Sequence, residues 1–79
     1  MKIEFNLFAT LAPLMPKDKL TEEGYLEIKD GTTVSDIIFD LQIPVEQVKL
    51  IFVNGRHTDM ERELKNGDRL GIFPPIGGG

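Results

Sequence analysis

Only one stretch of this chain carries a helical period, and the rest reads as short strands and turns. Thr33 and Asp36 stand at capping-box spacing, with a Thr at the N-cap and a carboxylate at the third helical position. Val34, Ile37, Ile38 and Leu41 then recur at i, i+3, i+4 and i+7, a single apolar stripe on a period of 3.6. Pro44 marks the end, because the residue before a proline is pushed out of helical geometry. A chain of 79 residues with no cysteine has neither disulfides nor thiolate-bound metal to hold it together. That one helix must therefore lay its stripe on a small sheet.

The strands follow from alternation. Ile3, Phe5 and Leu7 alternate with polar residues and predict a first strand over residues 2–7, with Phe8 turned to the opposite face. Residues 9–24 contain Pro13, Pro16 and Gly24 and read as a long connection with a helical turn around Ala9 to Leu14. Tyr25 to Lys29 form a second strand, closed by Asp30-Gly31. Leu50-Ile51-Phe52-Val53 is apolar without alternation, which predicts a strand covered on both faces. Asn54-Gly55 is a type I′ turn signal, so a short edge strand should follow within the polar segment 56–64. Asn66-Gly67-Asp68 is another turn, and Arg69 to Phe73 is the last strand.

Strand, strand, helix, strand, short strand, strand predicts an α+β β-grasp of ubiquitin-like architecture. Its mixed, four- to five-stranded sheet would carry the helix on one face. The first and last strands should lie side by side at the centre. On this reading residues 1–73 are the folded domain and residues 74–79 are a separate tail.

Composition excludes several function classes. With 13 acidic residues against 9 basic and no basic cluster, phosphate-backbone binding is not expected, whereas a basic protein partner is. No apolar run approaches the roughly 20 residues that span a bilayer, so no membrane role is expected. Without a signal-peptide pattern or cysteine, the expected location is cytoplasmic. His57 is the only histidine and reads as an ordinary surface residue, and no metal site is expected.

The tail is the strongest functional feature. Phe73-Pro74-Pro75-Ile76-Gly77-Gly78-Gly79 ends on three residues without side chains. Pro74 and Pro75 cannot donate to a sheet ladder and should direct the chain off the body as a stiff exit. A bare, extended carboxylate suits a chain end that is itself the reactive group; a frayed or engineered tail is the plain alternative. Fully extended, Pro74 to Gly79 would reach about 20 Å, enough to enter a buried site while the body docks outside.

The run from Asn66 to Gly79, with its Gly-Asp turn, apolar strand, Phe-Pro-Pro and terminal glycines, resembles the end of the MoaD/ThiS family of sulfur-carrier proteins. Phe8-Ala9-Thr10-Leu11 and Val53-Asn54-Gly55 are similar to that family as well. The long first connection and the double proline make the chain more similar to the molybdopterin synthase small subunit than to thiamine-type carriers.

The resemblance implies a non-catalytic carrier for molybdenum- or tungsten-cofactor synthesis. An E1-like adenylating enzyme would use ATP to join the terminal carboxylate to AMP, and a sulfur donor protein would then convert it to a thiocarboxylate. The large molybdopterin synthase subunit would receive the sulfur. The chain itself would bind no cofactor. Gly79, with Gly78 before it, would be the adenylation and thiocarboxylate site, and Pro74, Pro75, Ile76 and Gly77 would insert into the partner. Phe73 and Phe8 would form the partner interface, with a small second core under the first loop as the alternative for these two rings. On the face the helix leaves uncovered, either Leu50 with Phe52 or Ile51 with Val53 would join them. Because the family pattern ends in two glycines and this chain in three, either Gly79 or Gly78 is the reacting residue. A thiazole or other sulfur pathway, or a ubiquitin-like modifier joined to lysines, are the alternatives to the molybdopterin reading.

Overall fold

The computed structural model describes residues 1–75. Strands β1 (Lys2–Leu7), β2 (Tyr25–Glu27), β3 (Leu50–Val53), β4 (Arg56–Thr58) and β5 (Arg69–Phe73) form one sheet in the order β2-β1-β5-β3-β4. A single helix, α1 (Val34–Asp40), contributes Val34, Ile37 and Ile38 to the core on one face. β1 pairs antiparallel with β2 and parallel with β5, while β3 pairs antiparallel with both β4 and β5. This mixed sheet with its first and last strands side by side is the ubiquitin-like β-grasp.

Local chemistry explains the elements. The Thr33 hydroxyl accepts from the Asp36 N–H at 3.2 Å, and the Asp36 carboxylate accepts from the Thr33 N–H at 3.0 Å, closing the capping box. The helix ends at Asp40, four residues before Pro44: Leu41 is the C-cap and Gln42 turns left-handed at φ 59°. Ile43 then donates to the Ile38 carbonyl, which returns its own side chain to the core. Asn54 and Gly55 both have positive φ, 55° and 79°, as the tight turn between β3 and β4 requires.

The core is the inward side of this alternation. Ile3, Phe5 and Leu7 from β1, Leu70 and Ile72 from β5, and Ile51 and Val53 from β3 face α1. The long first connection supplies Leu11 from a 3-10 helix over Ala9–Leu14 and leans Leu20 against Leu26 as an isolated bridge. β3 departs from the reading of a strand buried on both faces, since Ile51 and Val53 are buried but Leu50 and Phe52 only half so. Its second apolar face belongs to an open aromatic surface, which a period-two count cannot distinguish from core.

Two turns are tied by one buried carboxylate. Asp68, 7% exposed, accepts from the Asn54 side-chain amide at 2.9 Å and from the Lys65 N–H at 2.7 Å. Asn54 in turn accepts from the Arg69 N–H at 2.9 Å and donates its own N–H to the Arg69 carbonyl. The β3–β4 turn is thereby fixed to the start of the central strand. Among the described residues no helix is long and apolar enough to cross a membrane.

Candidate functional site

Side chains directly opposite one another in a sheet share a face. The registers Phe52↔His57, Leu50↔Phe73 and Phe52↔Gly71 therefore place Leu50, Phe52, His57, Gly71 and Phe73 together on the side away from α1. Phe8 follows β1 and donates its N–H to the Ile72 carbonyl at 3.1 Å, bringing its ring to the same side.

The rings form a continuous platform. Phe8 stacks on Phe73 with centroids 4.3 Å apart and planes 5° from parallel. Phe73 meets Phe52 edge to face at 5.7 Å, and Phe52 meets His57 in the same manner at 5.8 Å. Phe8 remains 39% exposed, and Phe52 and Phe73 are half-buried. A shallow concavity of about 310 Å³ opens between them, floored by Gly71 and bordered by Asn6, Gly55 and Arg69. Rigid, partly wet aromatic surface of this kind is what protein interfaces use as anchors.

Gly71 makes the stack possible. A Cβ at this position would lie 3.0 Å from Cε2 of Phe8, so the bare backbone lets the Phe8 ring lie flat over β5. Sequence reading found Phe8 and Phe73 and left Leu50 with Phe52 or Ile51 with Val53 to join them, of which the structure selects Leu50 and Phe52; it missed Gly71 and His57 as members of the platform. A glycine inside an otherwise apolar strand was the available signal for the first of these.

The platform stands at the root of the tail. Phe73 is the last residue of β5, and its carbonyl accepts from the Lys49 N–H at 2.9 Å. In the parallel register of β1 and β5, the next donor to β1 would come from residue 74 to the Phe8 carbonyl. Pro74 has no N–H to give, and that carbonyl accepts from Leu11 at 3.0 Å instead. The central ladder stops there. Pro74 is itself buried and Pro75 is exposed, so the exposed chain begins after Pro74 and not directly after Phe73. Ile76, Gly77, Gly78 and Gly79 lie outside the described residues.

Among the described residues, no group of three His, Asp or Glu side chains is placed to hold a metal ion. What the described residues offer is an open aromatic surface beside Pro74 and Pro75.

The ThiS family model matches residues 6–79. Among solved structures, a protein described as molybdopterin converting factor subunit 1 from Pyrococcus furiosus superposes with a TM-score of 0.70 at 29% identity, covering 96% of this chain and 99% of that one. SAMP1 from Haloferax volcanii gives 0.68 at 20% identity over the whole of both chains. A complex of subunits 1 and 2 of molybdopterin-converting factor from Helicobacter pylori gives 0.58 at 24% identity, again over the whole of both chains. At those identities the last two likenesses concern the fold alone. No curated protein sequence matches the chain. With the family match running from β1 through the glycine tail, and with the topology built around a central β1–β5 pair, the chain belongs to the ThiS family and has the ubiquitin-like β-grasp fold of its sulfur carriers.

Proposed function

We propose that this protein carries sulfur on its C-terminal carboxylate for the synthesis of a molybdopterin-type cofactor. The observation that carries the reading is the aromatic platform of Phe8, Phe52 and Phe73 set at the root of a Pro-Pro-Ile-Gly-Gly-Gly end. The molybdopterin branch is supported by the likeness to the Pyrococcus furiosus subunit 1, the most similar in sequence of the three structures above.

The chemistry follows from the carboxylate. It is a poor acyl donor, because its leaving group would be oxide. An adenylating partner joins the Gly79 carboxylate oxygen to the α-phosphorus of ATP and releases pyrophosphate. Sulfide (HS⁻) delivered by a donor protein then adds to the acyl carbon and expels AMP with loss of the S–H proton, leaving a thiocarboxylate. No cysteine, and therefore no competing thiol nucleophile, is present in the chain. Glycine at the end lets the backbone pass a narrow channel with no Cβ in the way. The body docks through its platform, a large synthase subunit receives the sulfur, and the reaction steps belong to the partners, in the cytoplasm.

The test is the intact mass of the chain after incubation with ATP, an adenylating enzyme and a sulfur source. Exchange of one oxygen for sulfur is expected, and the loaded chain should then support molybdopterin formation with the large subunit. High-mass conjugates to lysines would instead make it a protein modifier. Sulfur loading that feeds thiazole but not molybdopterin would move it to the thiamine branch.

A further inference from the structure

The face of α1 turned away from the sheet carries an apolar surface of its own. Phe39 is 82% exposed on this helix, and Val45, just beyond it, is 57% exposed. Between them lies a groove of about 340 Å³ whose floor is Ile38, Ile43 and the half-buried Met60. Nothing local calls for a phenylalanine at position 39, since its helix propensity is below that of Lys, Glu or Gln. The left-handed turn at Gln42 brings Val45 to the same groove, so the exposed ring is part of a patch and not an isolated surface aromatic.

The groove's lining carries no charge, and the charged residues next to it in sequence, Asp36, Asp40, Glu46, Asp59 and Glu61, are all acidic. Asp40 also borders a separate concavity with Lys19 and Lys29. From Asp30 to Val48 the sequence holds no lysine or arginine, and Asp36, Asp40 and Glu46 are exposed. A second segment adds to it. The Met60 carbonyl accepts from the Ser35 N–H at 2.8 Å and the Arg62 carbonyl from the Val34 N–H at 3.0 Å, which sets exposed Asp59 and Glu61 beside the start of α1. Arg62, the basic residue of that segment, is half-buried and donates from Nε to the Glu63 carbonyl. The sheet platform differs, since Arg69 and His57 stand at its border.

We infer that the Phe39–Val45 groove is a second docking site, for a protein that presents an apolar pocket rimmed by Lys and Arg. A second copy of this chain does not fit, because Asp36, Asp40 and Glu46 would meet their own equivalents. The groove and the aromatic platform lie on opposite sides of the sheet, so both can be covered at once. The protein on the helix face therefore differs from the one that receives the tail.

The test places a photo-crosslinking amino acid at position 39, and separately at position 73, of the full chain in its own cells. The expected product at position 39 is a single foreign protein, crosslinked through a Lys- or Arg-bearing peptide and different from the product at position 73. Its yield should fall about fivefold in Asp36→Asn/Asp40→Asn, the loss of two exposed ion pairs. When the crosslinking is repeated in a lysate of those cells, it should also fall in about 1 M salt, where the screening length is about 3 Å. It should not change in Phe73→Ala. As a control for folding, Phe39→Ser should shift Tm by less than about 4 °C, because the ring is in solvent. Crosslinking to a second copy, a yield indifferent to salt and to the Asp variants, loss of the product in Phe73→Ala, or no product at position 39 would each overturn the inference.

Discussion

Phe8 and Phe73 lie face to face at 4.3 Å across the bare backbone of Gly71, so a residue at the end of the first strand and one at the end of the last make a single surface. The contact depends on the parallel β1–β5 pair, which brings both strand ends to the same edge of the molecule.

Gly71→Ala should separate affinity from stability. The added methyl meets Phe8 at 3.0 Å, but Phe8 is 39% exposed and can swing outward. Because glycine inside a strand is itself unfavourable, we expect Tm to change by less than about 4 °C. Affinity for the platform partner should fall about tenfold as the stack is lost. Unchanged binding by calorimetric titration against the large synthase subunit would remove Gly71 from the interface.

Phe73→Ala and Phe5→Ala should behave in opposite ways. Phe5 is fully buried under α1, and its removal should cost about 3–5 kcal/mol of stability. Phe73 is half-buried on the open face, and its removal should weaken partner binding roughly five- to thirtyfold. Its cost in stability should stay near 1–2 kcal/mol. Thermal melts paired with titrations check both, and a Phe73→Ala melt as low as that of Phe5→Ala would assign Phe73 to the core.

Asn54→Ala should be costly for a turn residue. It removes two side-chain hydrogen bonds, leaves the Asp68 carboxylate short of a donor in a buried position, and puts alanine at φ 55°. We expect a loss of about 2–4 kcal/mol in urea unfolding, with the slope unchanged. Binding through the platform should persist in the folded fraction.

Adding one residue after Gly79 should abolish sulfur loading without altering the melt, because the reactive group is then a peptide bond. Deleting Gly79 decides which terminus the activating enzyme takes. Retained loading at Gly78 would show that the third glycine is dispensable; loss of loading would fix Gly79 as the reacting residue. We expect loss.

Much of this fold could be read from local chemistry. The stripe of Val34, Ile37 and Ile38 and the Thr33–Asp36 box determine where the helix lies and which face it buries. Asn54-Gly55 could hardly be anything but a tight turn, because both residues tolerate positive φ. The site was legible only in part. Leu50 to Val53 looks like buried strand because a run of apolar residues does not say whether its second face meets core or solvent. Gly71 and Phe52 gain their meaning from strands distant in sequence, and Asp68 gains its own from a turn fourteen residues away. Pro74 read as the start of the tail, and its burial follows from packing that no local pattern encodes.

The missing N–H at Pro74 has a mechanical side. The tail issues from the C-terminal end of β5, the strand with β1 on one side and β3 on the other. A pull on the chain beyond Phe73 along that strand acts along both ladders and not across them. The bonds of β5 then bear the load together in shear and do not open one after another. Because Pro74 has no N–H to give, no bond of the β1–β5 ladder is carried past Phe73 among the described residues, and the load ends where β5 ends.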